Sequence, residues 1–469
     1  MIQTDKSNSR DLVPYAPPIA SQVSLEERVA SACRSFLEFH CRAAETEFIA
    51  TYKAVHLGGT STQESKLILS FLRSVENELF EEIHKALSKH FDLHQTPICS
   101  ITLVSEPGRR NRIFRIAFKN SERSVIFKES RPEQGNKTLT DADEKAAFDR
   151  FARDWAGLEF TGRLQPENRL CPQCYGGNEE DRFVLMEDLG KDQVTLADHL
   201  LKGSASAAQG SLERYLSCLG QFHATGHGRI NEYLEVLHKI NPQAPLNSQN
   251  EMIHKTLSEL RPLLARLNIP FTELMEEEIK TVIRAVSDPE GPFGAVIHGD
   301  PCPDNVFDYP EKLLLIDFEW ASVGSALLDA TYPRMSMPTG WCAGKFPEEG
   351  LDTAEAIYRN ELTKLVPAAT DDRAYFDAYA QACAMHVLNT VPLDIQEVNE
   401  VDRTWGIASI RSRVLSRLET FIQISAKHET LPALRSMATQ MLESLTAKWE
   451  ESKPLDLYPA FGSAPLPTI

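Results

Sequence analysis

The sequence predicts an α+β protein in which a small antiparallel sheet is followed by a mostly helical region. Near residue 98 the apolar residues change from helical spacing to strict alternation, and after residue 190 helical spacing returns. Within the helical region, residues 298–319 read HGDPCPDNVFDYPEKLLLIDFE, a polar turn followed by an apolar strand. We expect the rest of the chain to be organised around this stretch.

The composition is that of a folded protein with an acidic surface. The chain has 469 residues, more than one hydrophobic core usually holds, so two or three lobes are expected. Its net charge of -18 disfavours nucleic acids and anionic membranes as partners and suits cationic small molecules better. No run of residues approaches the ~20 apolar positions of a transmembrane helix.

The cysteines indicate a reducing compartment. Nine of them are scattered along the chain without the framework of a small disulfide-rich domain, so we expect reduced thiols and a cytoplasmic protein. Cys171 and Cys174 form a lone CxxC; a zinc ribbon would need a second pair, so two loop thiols are favoured. The first 23 residues are polar and lack the apolar core of a signal peptide.

The N-terminal part predicts helices with no evident chemistry. Residues 1–23 contain three prolines and predict a flexible leader. Residues 24–95 predict a helical extension, because Ser24 followed by Glu27 is a capping-box pattern and apolar residues then recur at helical spacing. We expect the extension to brace the fold, with regulation or homo-oligomer formation through its helices as the alternative.

Residues 96–187 predict a lobe that contains a sheet and one helix. Three alternating runs, around residues 101–103, 114–118 and 126–128, are separated by turn residues and predict an antiparallel meander. The loop SEPGRRNR between the first two runs contains Gly108, whose backbone freedom suits a tight turn with N–H groups facing a phosphate. An ordinary hairpin turn is the alternative.

Lys128 lies in the third run, in the segment VIFKE. A lysine inside an apolar strand either extends to the edge of the sheet or meets an anion. A helix is expected to begin near Thr140 with Asp143 completing its cap, and an acidic residue on that helix could hold Lys128 towards phosphates. The candidates, in order of preference, are Asp154, Glu144 and Glu159.

The segment FVLMEDLG at 183–190 predicts an apolar strand that leads into the helical remainder. Backbone groups from Met186 to Asp188 would suit hydrogen bonding to a flat heterocycle, although a plain connection is the alternative. Residues 188–452 predict a helical lobe and residues 453–469 a tail. One of the helices carries His223, which we interpret as a buried structural histidine.

The polar residues of the 298–319 stretch predict a metal and nucleotide site. VIHGD leads into a sharp turn that carries Asp300 and Asn305, and the strand LLLID delivers Asp317 and then Glu319. Asparagine and aspartate oxygens are ligands that Mg²⁺ accepts, and Asp300 would be left to accept the proton of an attacking hydroxyl. Any one of these acids could simply cap a turn, but four at these offsets with a strand lysine upstream disfavour that interpretation.

HGDPCPDN and IDFEWASVG, together with the lysine of VIFKE, resemble the aminoglycoside phosphotransferase and choline kinase group, which shares a protein-kinase-like fold. The resemblance covers about residues 98–350 by motif and extends to about 450 by helical pattern, but does not include residues 1–95. It implies a two-lobe fold in which the sheet lobe clamps ATP and the helical lobe carries catalysis.

The resemblance also implies roles for individual residues. Asp300 matches the catalytic base, Asn305 and Asp317 match Mg²⁺ ligands, and Lys128 matches the phosphate-binding lysine. Glu319 occupies an acidic position beside the metal. The supporting positions are Gly108 and Asn111 in the phosphate-covering turn, Met186, Glu187 and Asp188 in the adenine hinge, and His298 and Asp329 behind the catalytic turn.

Some features depart from this pattern. The chain has neither GxGxxG nor GxxxxGK[ST], so the phosphates would be held by a glycine-poor turn and Lys128. The loop at 332–349 and an acid-rich linker at 392–403 are interpreted as substrate-region segments, because both carry carboxylates and the first also carries aromatic residues. Ordinary loop packing around Trp341 is the alternative.

The predicted function is ATP- and Mg²⁺-dependent phosphorylation of a hydroxyl on a small molecule, such as an aminoglycoside, an amino alcohol or a sugar-like compound. The first alternative is a catalytically weak nucleotide-binding scaffold, or pseudokinase, which would not need every metal ligand. The second is a protein kinase-like enzyme, which is disfavoured because Asp329 follows Asp317 too soon to leave an activation segment between them.

Overall fold

The computed structural model describes residues 83–93, 98–105, 110–119, 121–132, 140–246, 250–309 and 312–462. Residues 86–105 and 110–469 form one compact unit, and this unit contains both the sheet and the helical region. The predicted leader and most of the predicted helical extension lie outside the described residues. The class expected from the sequence, a small antiparallel sheet with a mostly helical remainder, is confirmed.

A five-stranded antiparallel sheet forms the first lobe, in the order β1-β2-β3-β5-β4. Its strands are β1 (Ile98–Leu103), β2 (Arg112–Phe118), β3 (Ser124–Glu129), β4 (Cys174–Asn178) and β5 (Phe183–Glu187). The alternating apolar residues pack their rings beneath the sheet, where the rings of Phe127 and Phe183 stack with centroids 4.5 Å apart. Strand β3 is central, so Lys128 lies between Ile113 of β2 and Val184 of β5.

The predicted helix after the meander is α1 (Asp141–Leu164). Thr140 caps it by accepting a hydrogen bond from the backbone N–H of Asp143, whose side chain returns a bond to the backbone N–H of Thr140. Gly157 lets this helix approach the 298–319 stretch, because a Cβ there would lie 2.5 Å from the Cβ of Phe318. The helix therefore packs directly against the predicted metal-binding segment.

The second lobe is mostly helical. Its helices are α2 (Leu196–Lys202), α3 (Ala205–Gly226), α4 (Ile230–Ile240), α5 (Asn250–Arg266), α6 (Glu273–Ser287), α7 (Leu327–Ala330), α8 (Glu348–Thr363), α9 (Asp372–Val398), α10 (Ile410–Lys427) and α11 (Pro432–Lys448). No helix in the described ranges is both long enough and apolar enough to cross a membrane.

The helical lobe also contains short strands, and several of them lie within or beside the 298–319 stretch. They are β6 (Val194–Thr195), β7 (Gly294–Ile297), β8 (Val306–Asp308), β9 (Leu313–Leu315), β10 (Ser322–Ser325), β11 (Thr404–Trp405) and β12 (Ala408–Ser409). Strand β7 pairs with β10, and β8 lies between β6 and β9, all antiparallel. The polar turn thus begins after β7, which pairs with β10, and leads into the hairpin of β8 and β9.

One predicted boundary is wrong. Residues 392–403 were expected to be an acid-rich linker, but helix α9 continues through Pro392 to Val398. Proline removes one helical hydrogen bond. Here Pro392, Val391 and Ile395 are all buried in the core, and this apolar burial offsets the loss. Only the remainder of the segment, after Val398, is irregular.

The two cysteines of the lone CxxC form no disulfide within the described part of the chain. Cys171 is buried and Cys174 begins strand β4, and both thiols are free. Burial raises the pKa of the Cys171 thiol well above its ordinary value, which makes it a poor nucleophile. Cys171 therefore lies in a loop, as predicted, whereas Cys174 lies in a strand.

Candidate active site

The turn that follows β7 is built from the inside by a buried carboxylate. Asp329 accepts hydrogen bonds from the backbone N–H of His298 at 2.6 Å and of Gly299 at 3.1 Å. His223, fully buried, contacts the same carboxylate at 3.2 Å. Gly299 has φ +79°, and a Cβ there would lie 2.2 Å from the carbonyl oxygen of Trp320. This position therefore requires glycine, and the turn that presents Asp300 is rigidly supported.

Asp329→Asn is expected to lower the free energy of unfolding by about 2–3 kcal/mol, since one buried N–H would face an amide group instead of a carboxylate oxygen. Although burial alone would raise the pKa of Asp329, the hydrogen bond from His223 and the charges around it hold that pKa below its ordinary value. Its contribution is therefore complete above the unfolded pKa of about 4 and is lost as the pH falls through the folded value.

Urea unfolding at a series of pH values checks this expectation. The difference between wild type and Asp329→Asn should be constant near neutral pH and should shrink as the pH falls below about 4. Asp372→Asn is the matched control, because the Asp372 side chain is 81% exposed and its ion pair with Arg359 is worth under about 1 kcal/mol. Equal losses in the two variants would contradict the role given to Asp329.

Asp300 is half-buried and its Oδ1 atom is surrounded by donors. The hydroxyl of Tyr332 donates to Oδ1 at 2.8 Å, the hydroxyl of Thr339 at 2.5 Å and the thiol of Cys302 at 3.1 Å. All the side-chain hydrogen bonds to this carboxylate from the described residues go to the same oxygen. The carboxylate is therefore oriented, and Oδ2 carries none of these bonds.

Backbone hydrogen bonds join the turn to the end of β9. Ile316 donates its N–H to the carbonyl of Asn305 at 3.0 Å and accepts from Nε2 of His298 at 2.9 Å. The Asn305 side-chain amide donates to the carbonyl of Asp300 at 3.0 Å, which leaves its oxygen as the atom for a ligand. Asp317 follows with a left-handed φ of +66°. These hydrogen bonds thus hold the turn that carries Asp300 against the residues that follow β9.

Lys128 reaches this structure from the sheet lobe. Its Nζ lies 2.8 Å from Oδ2 of Asp154 and 2.5 Å from Oδ1 of Asp317. Asp154 also accepts the backbone N–H of Phe318 at 2.8 Å. The other two candidate acids pair elsewhere, since Glu144 contacts Arg182 and Glu159 contacts Arg163 within its own helix. The helix acid beside Lys128 is therefore Asp154.

The charges in this cluster are strongly coupled. Burial alone would lower the pKa of Lys128, but the carboxylates of Asp154, Asp317 and Glu319 raise it well above its ordinary value. Burial raises the pKa of Asp154 and of Glu319. For Asp317, burial is outweighed by Lys128, which holds its pKa below the ordinary value. Lys128 thus favours the ionised form of Asp317.

Glu319 pairs with the loop that covers the sheet lobe. It is 6% exposed and forms an ion pair with Arg110, and the Asn111 amide lies 3.5 Å from its other oxygen. Gly108, the other residue predicted for the phosphate-covering turn, lies outside the described residues. The structure therefore brings Asn111 to the acidic end of the 298–319 stretch, with Arg110 as an unexpected partner.

The predicted adenine hinge lies at the end of β5. Met186 is buried, and the N–H of Glu187 already donates to the carbonyl of Gln173 at 2.9 Å. The Asp188 side chain accepts from the Ser124 hydroxyl at 2.5 Å and forms an ion pair with Arg115. The Asp188 carboxylate is thus bound to side chains of the sheet lobe. Any contact of this segment with a heterocycle would therefore use its backbone groups.

The predicted metal ligands would all bind through oxygen atoms. Among the described residues, no group of three or more His, Cys, Asp and Glu side chains is arranged to hold a metal ion. The predicted ligands are one amide, Asn305, and two carboxylates, Asp317 and Glu319. These groups suit Mg²⁺, which keeps waters and phosphate oxygens in its shell and takes few protein ligands. Lys128 and Arg110 balance the two carboxylates.

Some residues of the site were missed from the sequence. Tyr332 and Thr339 were included only as members of the 332–349 loop, because neither lies at a recognisable motif position. The same loop carries Trp341, whose indole N–H donates to Oδ2 of Asp304 at 2.9 Å. The loop therefore lies against the turn that carries Asp300.

The joined motifs lie in one compact unit that contains the sheet lobe and the helical lobe. A sequence model of the ecdysteroid kinase-like family matches residues 118–339, which include Lys128, the 298–319 stretch and Asp329. This match confirms the resemblance recognised from the motifs. A search of curated protein sequences finds no significant match.

Three solved structures are given as examples of those similar to this chain. A choline/ethanolamine kinase family protein from Mesorhizobium loti is 14% identical with a TM-score of 0.40, covering 77% of this chain and 99% of its own. A putative aminoglycoside phosphotransferase from Ralstonia eutropha is 13% identical with a TM-score of 0.42, covering 78% and 98%. An ethanolamine kinase from Plasmodium vivax is 11% identical with a TM-score of 0.41, covering 87% and 98%.

Proposed function

We propose that this protein is an ATP- and Mg²⁺-dependent kinase that phosphorylates a hydroxyl group of a small molecule. One observation carries the proposal: the contacts of Ile316 join the turn of Asp300 to the strand end of Asp317, and Lys128 reaches that same strand end from the other lobe. A general base, a metal ligand and a phosphate-binding cation are the components that phosphoryl transfer needs in one cleft.

Each residue has a proposed role. Asp300, oriented through Oδ1, would accept the proton of the substrate hydroxyl at Oδ2. Lys128 would contact the nucleotide phosphates while Asp154 holds it in place.

Asn305, Asp317 and Glu319 would bind Mg²⁺, and a bound Mg²⁺ would screen the negative charge of the phosphate oxygens. His298 and Asp329 would support the turn.

The nucleotide would lie between the lobes. Backbone groups of the Met186–Asp188 segment would contact the adenine, and the loop carrying Gly108 and Asn111 would cover the phosphates. Glu319 would then have to exchange Arg110 for the metal, because its carboxylate forms an ion pair with Arg110 in this structure. Arg110 would in turn be free to contact a phosphate oxygen.

The substrate is proposed only as a class. The acidic surface favours a cationic alcohol such as an amino alcohol or an aminoglycoside, and sugar-like alcohols remain in the class. The name of the ecdysteroid kinase-like family adds ecdysteroids to the compounds to be tested. We also propose a cytoplasmic location, which the free thiols of the described cysteines support.

A phosphorylation screen tests the proposal. Purified protein with Mg²⁺ and ATP is assayed for ADP release against amino alcohols, aminoglycosides, sugars and ecdysteroids, with products identified by mass spectrometry. We expect one class of alcohol to stimulate ADP release and to gain one phosphate. Nucleotide binding without turnover on any of them would favour the scaffold alternative, and phosphorylation of protein substrates alone would favour the protein kinase-like alternative.

A further inference from the structure

Thr339 contacts the proposed catalytic base although it lies outside every recognised motif. Its hydroxyl donates to Oδ1 of Asp300 at 2.5 Å and also contacts the hydroxyl of Tyr332. The residues before and after it, Pro338 and Gly340, are buried, whereas Thr339 is exposed. The loop is therefore anchored on both sides of one exposed side chain, which faces the carboxylate.

Two buried arginines of α10 provide the anchors. Arg417 donates to the carbonyl of Pro338 at 2.6 Å, and Arg413 donates to the carbonyl of Gly340 at 2.6 Å. Each arginine residue is 1% exposed. The carbonyl groups of the residues before and after Thr339 thus receive charge-assisted hydrogen bonds, which are shorter and stronger than neutral ones.

The arginines are themselves held in place. Arg417 forms an ion pair with Asp394 at 2.6 Å and donates to the Thr390 hydroxyl at 3.0 Å, both on α9. Arg413 also donates to the carbonyl of Trp405 at 2.6 Å and lies over its ring. A continuous set of contacts therefore runs from α9 through α10 to Thr339.

The backbone of the loop indicates that these anchors hold it in an otherwise unfavourable shape. Ser336 has φ +59° and Met337 has φ +53°, so two consecutive residues other than glycine are left-handed. Such residues persist only where their surroundings fix them. The loop would not present Thr339 to Asp300 by local preference alone.

We propose that Thr339 is a positioning residue for Asp300 and that Arg413 and Arg417 hold Thr339 in place. With Thr339 and Tyr332 bound to Oδ1, the carboxylate cannot rotate freely, and Oδ2 stays directed to the acceptor hydroxyl. The proposal rests on the proposed function, since it assigns Thr339 to the base of the same reaction. It gives helices α9 and α10, which lie outside the residues matched by the family model, a role in positioning the proposed catalytic base.

The first test removes the hydroxyl without changing the shape of the side chain. Thr339→Val is expected to lower kcat about tenfold to hundredfold with little change in the KM for ATP. Thr339→Ser, which keeps the hydroxyl, should recover most of the activity. Thr353→Val is the matched control, because Thr353 is exposed on α8 and bonds only within its helix. An unchanged kcat in Thr339→Val, or equal loss in Thr339→Ser, would overturn the proposal.

Crystal structures separate the failure of this proposal from failure of the proposed function. In Thr339→Val and in Arg417→Met we expect the Asp300 carboxylate to rotate away from its wild-type position, with the rest of the fold unchanged. If wild type phosphorylates no alcohol, the proposed function fails, and the position of Asp300 still decides the positioning role. An unmoved carboxylate in Thr339→Val would overturn that role, which covers the case in which Arg417→Met fails to fold.

A further outcome would also overturn the positioning role. If wild type incubated with Mg²⁺ and ATP carried phosphate on Thr339, and Asp300→Ala did not, Thr339 would be an acceptor of the phosphoryl group.

Discussion

Asp300→Ala is expected to lower kcat about 10²–10⁴-fold, because the acceptor hydroxyl loses the group that takes its proton. Binding of nucleotide should change little, since the proposed role of Asp300 concerns the acceptor and neither Lys128 nor Asp317 contacts its carboxylate. Steady-state assays on an accepted alcohol give kcat, and calorimetry with Mg²⁺ and a non-hydrolysable ATP analogue gives the dissociation constant.

A second variant and a control make this result specific. Asp300→Asn keeps the shape of the side chain and the oxygen that receives the Tyr332 and Thr339 hydroxyls, but it is a far weaker base. It should therefore be nearly as slow as Asp300→Ala. Asp372→Ala, an exposed substitution on α9, should match wild type. Phosphorylation at the wild-type rate by either Asp300 variant would remove Asp300 from the mechanism.

The residues that the sequence predicted well are those whose position follows from a local pattern. Lys128 lies inside an alternating run that forms β3, and Asp317 follows by two residues an apolar run that forms β9, so the pattern locates both residues. The sequence pattern also favours Asp154 as the helix acid that pairs with Lys128. Asp154 follows the buried residues Ala147 and Phe151 at helical spacing, so it lies on the stripe of α1 that faces the core.

The residues that were missed depend on contacts between distant segments. Arg110 and Glu319 are 209 positions apart, and nothing near either residue indicates the ion pair. Strand β4 was missed for a local reason: its sequence CYGGN lacks β-branched residues, and its pairing with β5 is irregular between Cys174 and Gly176. Thr339 was missed for both kinds of reason. It lies in no recognised motif, and its position depends on two arginines more than 70 residues away.

Lys128→Met is expected to lower kcat/KM about 10²–10³-fold, because the nucleotide phosphates lose a preorganised cation in a buried site. The substitution also leaves Asp154, Asp317 and Glu319 close together without the lysine that compensates them. Breaking a buried charge pair in this way costs about 3–5 kcal/mol of folding free energy. Activity assays alone would therefore not distinguish a catalytic lysine from a structural one.

The dependence on pH has a definite sign. In wild type the folded pKa of Lys128 is raised, so its stabilising effect is complete below the unfolded pKa of about 10.4 and is lost only as the pH rises through the folded value. In Lys128→Met the crowded carboxylates would instead have raised pKa values. The variant should therefore regain stability relative to wild type as the pH falls towards their protonation, which urea unfolding at several pH values measures.

A double variant separates the two roles of Lys128. Asp154→Asn removes one of the crowded negative charges but keeps an oxygen for the N–H of Phe318. Lys128→Met with Asp154→Asn should therefore recover much of the lost stability and none of the lost activity. Lys280→Met, a substitution at an exposed lysine of α6, is the control for removing a surface cation. If the double variant regained phosphorylation together with its stability, Lys128 would be a structural partner of Asp154 and not a ligand of the phosphates.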